Sequence, residues 1–213
     1  SETPPREETE EEEEAGSISE YFGVCLTLIV PSIDALTTVD DYLVVASSEY
    51  HTAHIIAPNG ACANRAIGHT AGITALHGYD INSFMTGSAD QTAKFWDIRV
   101  PSAVYSFHRH NGIVTSIFCN RNESTSLVFT GGTDGAVRVW DIRNMKAVFS
   151  VDIGEATPQS IFFDNHDKIL KIVASERCGD YFYDLGKFDY HDDSVQLVDF
   201  GLNSIISFQC PNE

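Results

Sequence analysis

"TGGTDGAVRVWDIR", from Thr130 to Arg143, has a near copy 44 residues upstream in "TGSADQTAKFWDIR", from Thr86 to Arg99; seven of the fourteen positions are identical. Each copy reads as strand, tight turn, strand. Downstream, Ser126–Gly131 and Val137–Trp140 flank Asp134-Gly135, a pair suited to the tight turn of a hairpin. Upstream, Ser83–Gly87 and Ala93–Trp96 flank Asp90-Gln91-Thr92. A further strand precedes each hairpin, Ile73–His77 and Ile113–Phe118, and another follows, Val104–Phe107 and Lys146–Val151. The unit is four strands in roughly 40 residues.

Two degenerate copies flank these. Ile33–Ala57 aligns without a gap on Ile73–Asp97, so that Ser48 meets Ser88, Tyr50 meets Asp90 and Ile56 meets Trp96. Gln159–Leu185 is the other copy, with Tyr183-Asp184 at the Trp-Asp place. Ser194–Gln209 reads as the first two strands of a fifth unit. Apolar residues alternate at period two in short runs bounded by Gly, Asn, Asp and Pro, and no stretch carries a helical period. The fold class is all-β, built from four-stranded antiparallel units.

Composition bounds the rest. The 213 residues carry a net charge of −18. Residues 1–20 hold nine Glu and one Arg, and such a run buries too little apolar surface to offset the entropy of ordering. Residues 1–21 are therefore expected to be a disordered acidic tail or linker, with 22–213 forming the folded part. No Lys/Arg cluster is present to neutralise phosphates, so direct nucleic-acid binding is not expected. The five cysteines are widely spaced, without a C-x-x-C pair, which argues for reduced thiols and an intracellular site, cytoplasmic or nuclear. Gly23–Pro31 is apolar but too short to span a bilayer, and reads as a buried strand; no membrane insertion is expected.

Gly68-His69, Asp90 and Trp96-Asp97 resemble the signature of the WD-repeat β-propellers. The next repeat carries Arg109-His110, Asp134 and Trp140-Asp141, with Arg in place of the signature's Gly. The resemblance implies blades near 23–57, 62–98, 102–142 and 146–185 and a partial blade at 188–209, a partial or open ring as given. It also implies a structural relay in each well-formed blade: His69, Thr86, Asp90 and Trp96, then His110, Thr130, Asp134 and Trp140. The outer blades lack these residues and are expected to rest on apolar packing alone. Seven blades need about 280 residues at ~40 each. The expectation is that a further segment, or another chain, completes the ring.

No catalytic constellation stands out. His51 and His54, and His108 and His110, lack the third and fourth ligands that a metal centre requires, so no metal or cofactor is expected. "TGGTDG" opens a strand instead of a helix and lacks the geometry of a phosphate loop. The resemblance implies instead a non-catalytic scaffold for other proteins. Turns and histidine loops would share one rim, where Glu49, Tyr50, His51, Thr70, Gln91, Arg109, Asn111, Thr133, Glu155 and Arg177 are uncommitted. Tyr50, Arg109 and Arg177 lead, being of the types that anchor interfaces. Trp96-Asp97-Ile98-Arg99 and Trp140-Asp141-Ile142-Arg143 also resemble the box by which substrate receptors of cullin-4 ubiquitin ligases are read by their adaptor, with Arg99 and Arg143 as the residues read. A regulatory domain of a larger enzyme is a third reading.

Overall fold

The structure, a computed structural model, describes residues 32–121, 126–164 and 169–175, and the backbone of residue 176 and of the strands at 179–191, 194–197 and 206–208. The acidic head, Gly23–Pro31 and Arg177 lie outside the described residues. The first sheet holds β1 (Ala35–Val39), β2 (Tyr42–Ala46), β3 (Thr52–Ile56) and β4 (Cys62–Ile67). The second holds β5 (Ile73–Asp80), β6 (Ser83–Ser88), β7 (Ala93–Asp97) and β8 (Tyr105–Phe107). The third holds β9 (Val114–Arg121), β10 (Ser126–Gly132), β11 (Ala136–Asp141) and β12 (Lys146–Asp152). The fourth holds β13 (Thr157–Asp164), β14 (Ile169–Glu176) and β15 (Gly179–His191), joined by β16 (Ser194–Leu197) and β17 (Ile206–Phe208). Every pairing is antiparallel between chain neighbours except β17, which pairs with β15.

The sheets stack face to face in chain order. Phe84 and Trp96 of the second sheet pack with Val44, Ala46 and Ile55 of the first. Met85, Phe95 and Phe107 pack with Val128 and Trp140 of the third. Phe129 and Val139 pack with Phe163, Leu170 and Ile172 of the fourth. The first strands β1, β5, β9 and β13 lie side by side at the inner edge. Threonines latch them together: Gly78 N–H donates to Thr37 Oγ1 at 2.9 Å, Thr74 Oγ1 to Val114 O at 2.5 Å, and Thr115 Oγ1 to Pro158 O at 2.5 Å. This approach is close enough to explain the glycine shared by the two phrases. A Cβ at Gly87 would lie 2.6 Å from Val114 Cγ1, and one at Gly131 2.6 Å from Pro158 Cβ.

Three readings of the sequence are changed. First, the strands read around each phrase do form one sheet, but the blade bounds near 62–98 and 102–142 are out of phase with the sheets by a strand. Cys62–Ile67, placed at the start of the unit 62–98, pairs with β3 and closes the first sheet, and the sheets run 35–67, 73–107 and 114–152. Second, the gapless alignment of the first unit slips in β2. Leu43 opposes Ile56 as Phe84 opposes Trp96, and Val44 opposes Ile55 as Met85 opposes Phe95. In a strand, a slip of one residue exchanges the two faces. Val45, not Ala46, therefore stands at the Thr86 place, and the turn that follows is one residue longer. Ser47 Oγ accepts from Glu49 N–H as Ser88 Oγ accepts from Asp90 N–H, so Glu49, not Tyr50, occupies the Asp90 place. Tyr50 occupies the Gln91 place, since each donates its N–H to the carbonyl of that serine. Third, β16 and β17 do not begin a fifth unit. The 13-residue β15 is long enough for one partner at Phe188–His191 and another at Asp180–Phe182.

Candidate functional site

The two hairpins hold the same hydrogen-bonded relay. In the second sheet, Trp96 Nε1 donates to Thr86 Oγ1 at 2.7 Å, His69 Nε2 lies 2.7 Å from the same oxygen, and His69 Nδ1 lies 2.8 Å from Asp90 Oδ2. In the third, Trp140 Nε1 donates to Thr130 Oγ1 at 2.9 Å, His110 Nε2 lies at 2.8 Å from it, and His110 Nδ1 lies 3.0 Å from Asp134 Oδ1. A carboxylate only accepts, so Nδ1 must carry the proton it faces. Nε2 is then an acceptor for the threonine O–H, and the threonine oxygen accepts from the indole. Every donor and acceptor is matched only with a neutral imidazole.

Burial and charge agree with that assignment. Burial pushes the His69 and His110 imidazoles below their ordinary value, against the opposing pull of Asp90 and Asp134. Burial would raise the Asp90 carboxyl, but Thr92 Oγ1, Thr70 N–H and His69 donate to it and together hold it at about 2. Asp134 is likewise held low, burial being outweighed by Asn111 N–H, His110 and Arg138. Arg138 Nη2 reaches Asp134 Oδ2 at 3.0 Å, a contact not foreseen, while its Nη1 binds the cross-strand Ser150 Oγ as its aligned counterpart, Lys94, binds Ser106 Oγ. A basic residue at the same place in both phrases was the available signal.

Each relay lies on the face turned toward the preceding sheet, where Trp96 stacks against Phe84 with centroids 6.3 Å apart. The corresponding face of the first sheet carries Val45 and Ile56, both buried, beside Ile33 and Leu43. That sheet does not rest on apolar packing alone. Asp34 Oδ2 accepts from Ser48 N–H and Ser48 Oγ, both at 2.7 Å, and from Ser47 Oγ, which ties its turn to the incoming chain.

The candidate contact residues divide. Tyr50, Gln91 and Arg109 are exposed at turns or loops of the relay end. Thr133 is exposed too, but its Oγ1 accepts from Ile113 N–H at 2.9 Å, so the hydroxyl holds a loop instead of standing free. Arg99 and Arg143 fold back on their own repeats: Arg99 Nη2 and Nε bind Asp97, and Arg143 Nε and Nη2 bind Asp141, both at 3.2 Å. Gln91 has φ +68, in a left-handed region costly for a residue with a Cβ, while Gly135 fills the same place at φ +69. Among the described residues no three His, Cys, Asp or Glu side chains converge as a metal site, and no helix is long and apolar enough to cross a membrane.

Face-stacked, four-stranded antiparallel sheets with a threonine–histidine–aspartate–tryptophan relay define a β-propeller. The family model for the WD domain, G-beta repeat, matches 60–97 and 101–141. These two segments are WD repeats, and the fold of the chain is that of the WD-repeat β-propellers. Over 53 residues it is 42% identical to the guanine nucleotide-binding protein subunit beta of Oryza sativa subsp. japonica, which is 24% of this chain and 14% of that protein. The Arabidopsis thaliana protein of that name is 43% identical over the same length and shares. Among solved structures, a chain of the mitotic checkpoint complex superposes with a TM-score of 0.64 at 18% identity, over 77% of this chain and 50% of that one. The WD40 propeller domain of Doa1 superposes with a TM-score of 0.60 at 18% identity, over 68% and 48%. This chain thus spans about half the length of these solved structures.

Proposed function

We infer that the chain is a non-catalytic scaffold that holds partner proteins against its relay-bearing rim, with Tyr50, Gln91 and Arg109 as contacts. The observation that carries this is Gln91. A left-handed turn position that glycine fills at lower cost is given to a large polar side chain exposed at the rim. Strain of this kind persists where a side chain is needed in place. The relatives matched by sequence are named as subunits, and one solved neighbour comes from a multi-protein complex, which fits a scaffold. The test is proximity labelling in cells with the wild type and with Tyr50→Ala/Gln91→Ala. Partners lost from the variant, at unchanged thermal stability, support the rim. An unchanged partner set overturns it.

A second reading, substrate receptor of a cullin-4 ubiquitin ligase, draws on the 67% exposed Arg99 side chain. It requires the ligase's propeller adaptor to copurify with the wild type and to be lost with Arg99→Ala/Arg143→Ala.

A further inference from the structure

At the outer seam between the second and third sheets, β8 and the loop after it face the β11–β12 turn across a groove of about 480 Å³. Its apolar walls are half-buried Met145 and Ala147 over the edges of Phe107 and Trp140, which are 2% and 3% exposed, with Tyr105 at its exposed edge, and its cations are Arg109 and Lys146, beside His108. None of the residues lining it is acidic. That is notable in a chain of net charge −18. Among the described residues, Arg99, Arg121, Arg138, Arg143 and Lys171 each face a carboxylate, and Lys94 binds Ser106. Arg65, Arg109 and Lys146 have no such partner among them, and two of these three share this groove. A bulge opposite Trp140, where the register with β12 shifts between Val139 and Trp140, turns the start of β12 at the groove's edge.

We propose that this groove binds a short acidic peptide segment of a partner protein, with one bulky apolar side chain seated against Phe107, Trp140 and Met145 and flanking carboxylates on Arg109 and Lys146. Unpaired cations beside a carboxylate-free apolar floor select for this chemistry by charge, and the net negative body rejects acidic chains elsewhere. The proposal rests on the reading of the chain as a protein-binding scaffold; it shares Arg109 with the rim contacts but does not involve Tyr50 or Gln91.

The test uses the full chain and a fluorescein-labelled peptide, Asp-Glu-Glu-Phe-Asp-Glu-Asp, read by fluorescence anisotropy. Arg109→Ala/Lys146→Ala is expected to weaken binding about ten-fold with an unchanged unfolding midpoint, since both side chains are exposed. Replacing the peptide's Phe by Gly is expected to weaken it about ten-fold as well. Raising the salt from about 50 to about 300 mM is expected to weaken binding several-fold. A third protein has Glu7, Glu8 and Glu10 to Glu14 replaced by Gln. Binding by this protein but not by the wild type would overturn the partner assignment in favour of the chain's own acidic segment as occupant. Binding by neither, or equal binding by the Arg109/Lys146 variant, overturns the groove itself and leaves the rim reading standing. Failure of the rim variants with peptide binding intact does the reverse.

Discussion

Thr86 is the hub of its relay, and replacing it by valine isolates what the hydroxyl does. Valine keeps the branched shape, so no cavity opens. Trp96 Nε1 and His69 Nε2, bound to Thr86 Oγ1 at 2.7 Å each, both lose their partner. Trp96 is fully buried and His69 is 6% exposed, so water cannot replace the lost oxygen. An unpaired buried polar group costs about 1–3 kcal/mol, and the two together about 2–6 kcal/mol. For a domain of this size that is a fall of roughly 4–24 °C in melting temperature. Thr86→Ser keeps the hydroxyl and removes one methyl, at about 1 kcal/mol. Urea denaturation followed by circular dichroism is therefore expected to rank wild type above Thr86→Ser above Thr86→Val. A cycle with Trp96→Phe sharpens the test, since that change removes the indole donor that the valine leaves stranded. Its cost is expected to be smaller in the Thr86→Val background by about 1 kcal/mol or more. A valine variant as stable as the serine one, with no coupling to position 96, would refute the relay as the source of stability.

Three other outcomes follow from the same geometry. Gln91→Gly relieves a left-handed backbone and is expected to stabilise the domain by about 0.5–1 kcal/mol in thermal melts, the gain in φ freedom being partly offset by chain entropy; a loss of stability would mean that the glutamine side chain holds the turn. Gly135→Ala is expected to cost more than about 2 kcal/mol, because its Cβ would run into the Gly154 carbonyl oxygen at a φ of +69; a neutral result in the same melts would contradict the turn geometry. His69 and His110 are held below the ordinary 6.5, so below that pH the unfolded chain binds more protons and stability falls as the pH drops. Asp90, at about 2 when folded against an ordinary 3.8, adds a further loss between those values. Urea midpoints that stay flat from pH 8 to pH 5 would contradict the neutral-imidazole relay.

The hairpins were legible in the sequence because the turn residues and the alternating apolar runs around them recur 44 residues apart; the relays were legible through the family resemblance that Gly68-His69, Asp90 and Trp96-Asp97 carry. The first sheet was legible in class but not in register. Its turn gains a residue after Ala46, while β5 carries one extra residue at its bulge between Gly78 and Asp80. These shifts offset one another along the chain, so a gapless alignment fits while β2 has exchanged its faces. The carboxylate partner of Arg138 was invisible for a different reason: both basic residues at this repeat position bind the cross-strand serine, Ser106 or Ser150, and only the forked guanidinium also reaches the turn aspartate. The groove was not legible either. Its lining comes from the ends of two different repeats, and neither Arg109 nor Lys146 belongs to the repeating pattern.

The one-strand offset between repeat and sheet has a consequence for how such chains grow. The segment 62–98 begins with β4, the outer strand of one sheet, and ends with β5 to β7, the inner three strands of the next. A second copy inserted directly after it would hand its first strand to the sheet already begun. Its remaining three strands would then start another sheet, which β8 completes. Duplication of this segment lengthens the array by a whole blade without exposing an unpaired strand edge at either junction. A segment cut at the sheet borders could be duplicated as well, but its copy would enter as a finished blade with no covalent share in its neighbour. Offset units behave as overlapping tiles, so a single gene duplication yields a joined surface at once.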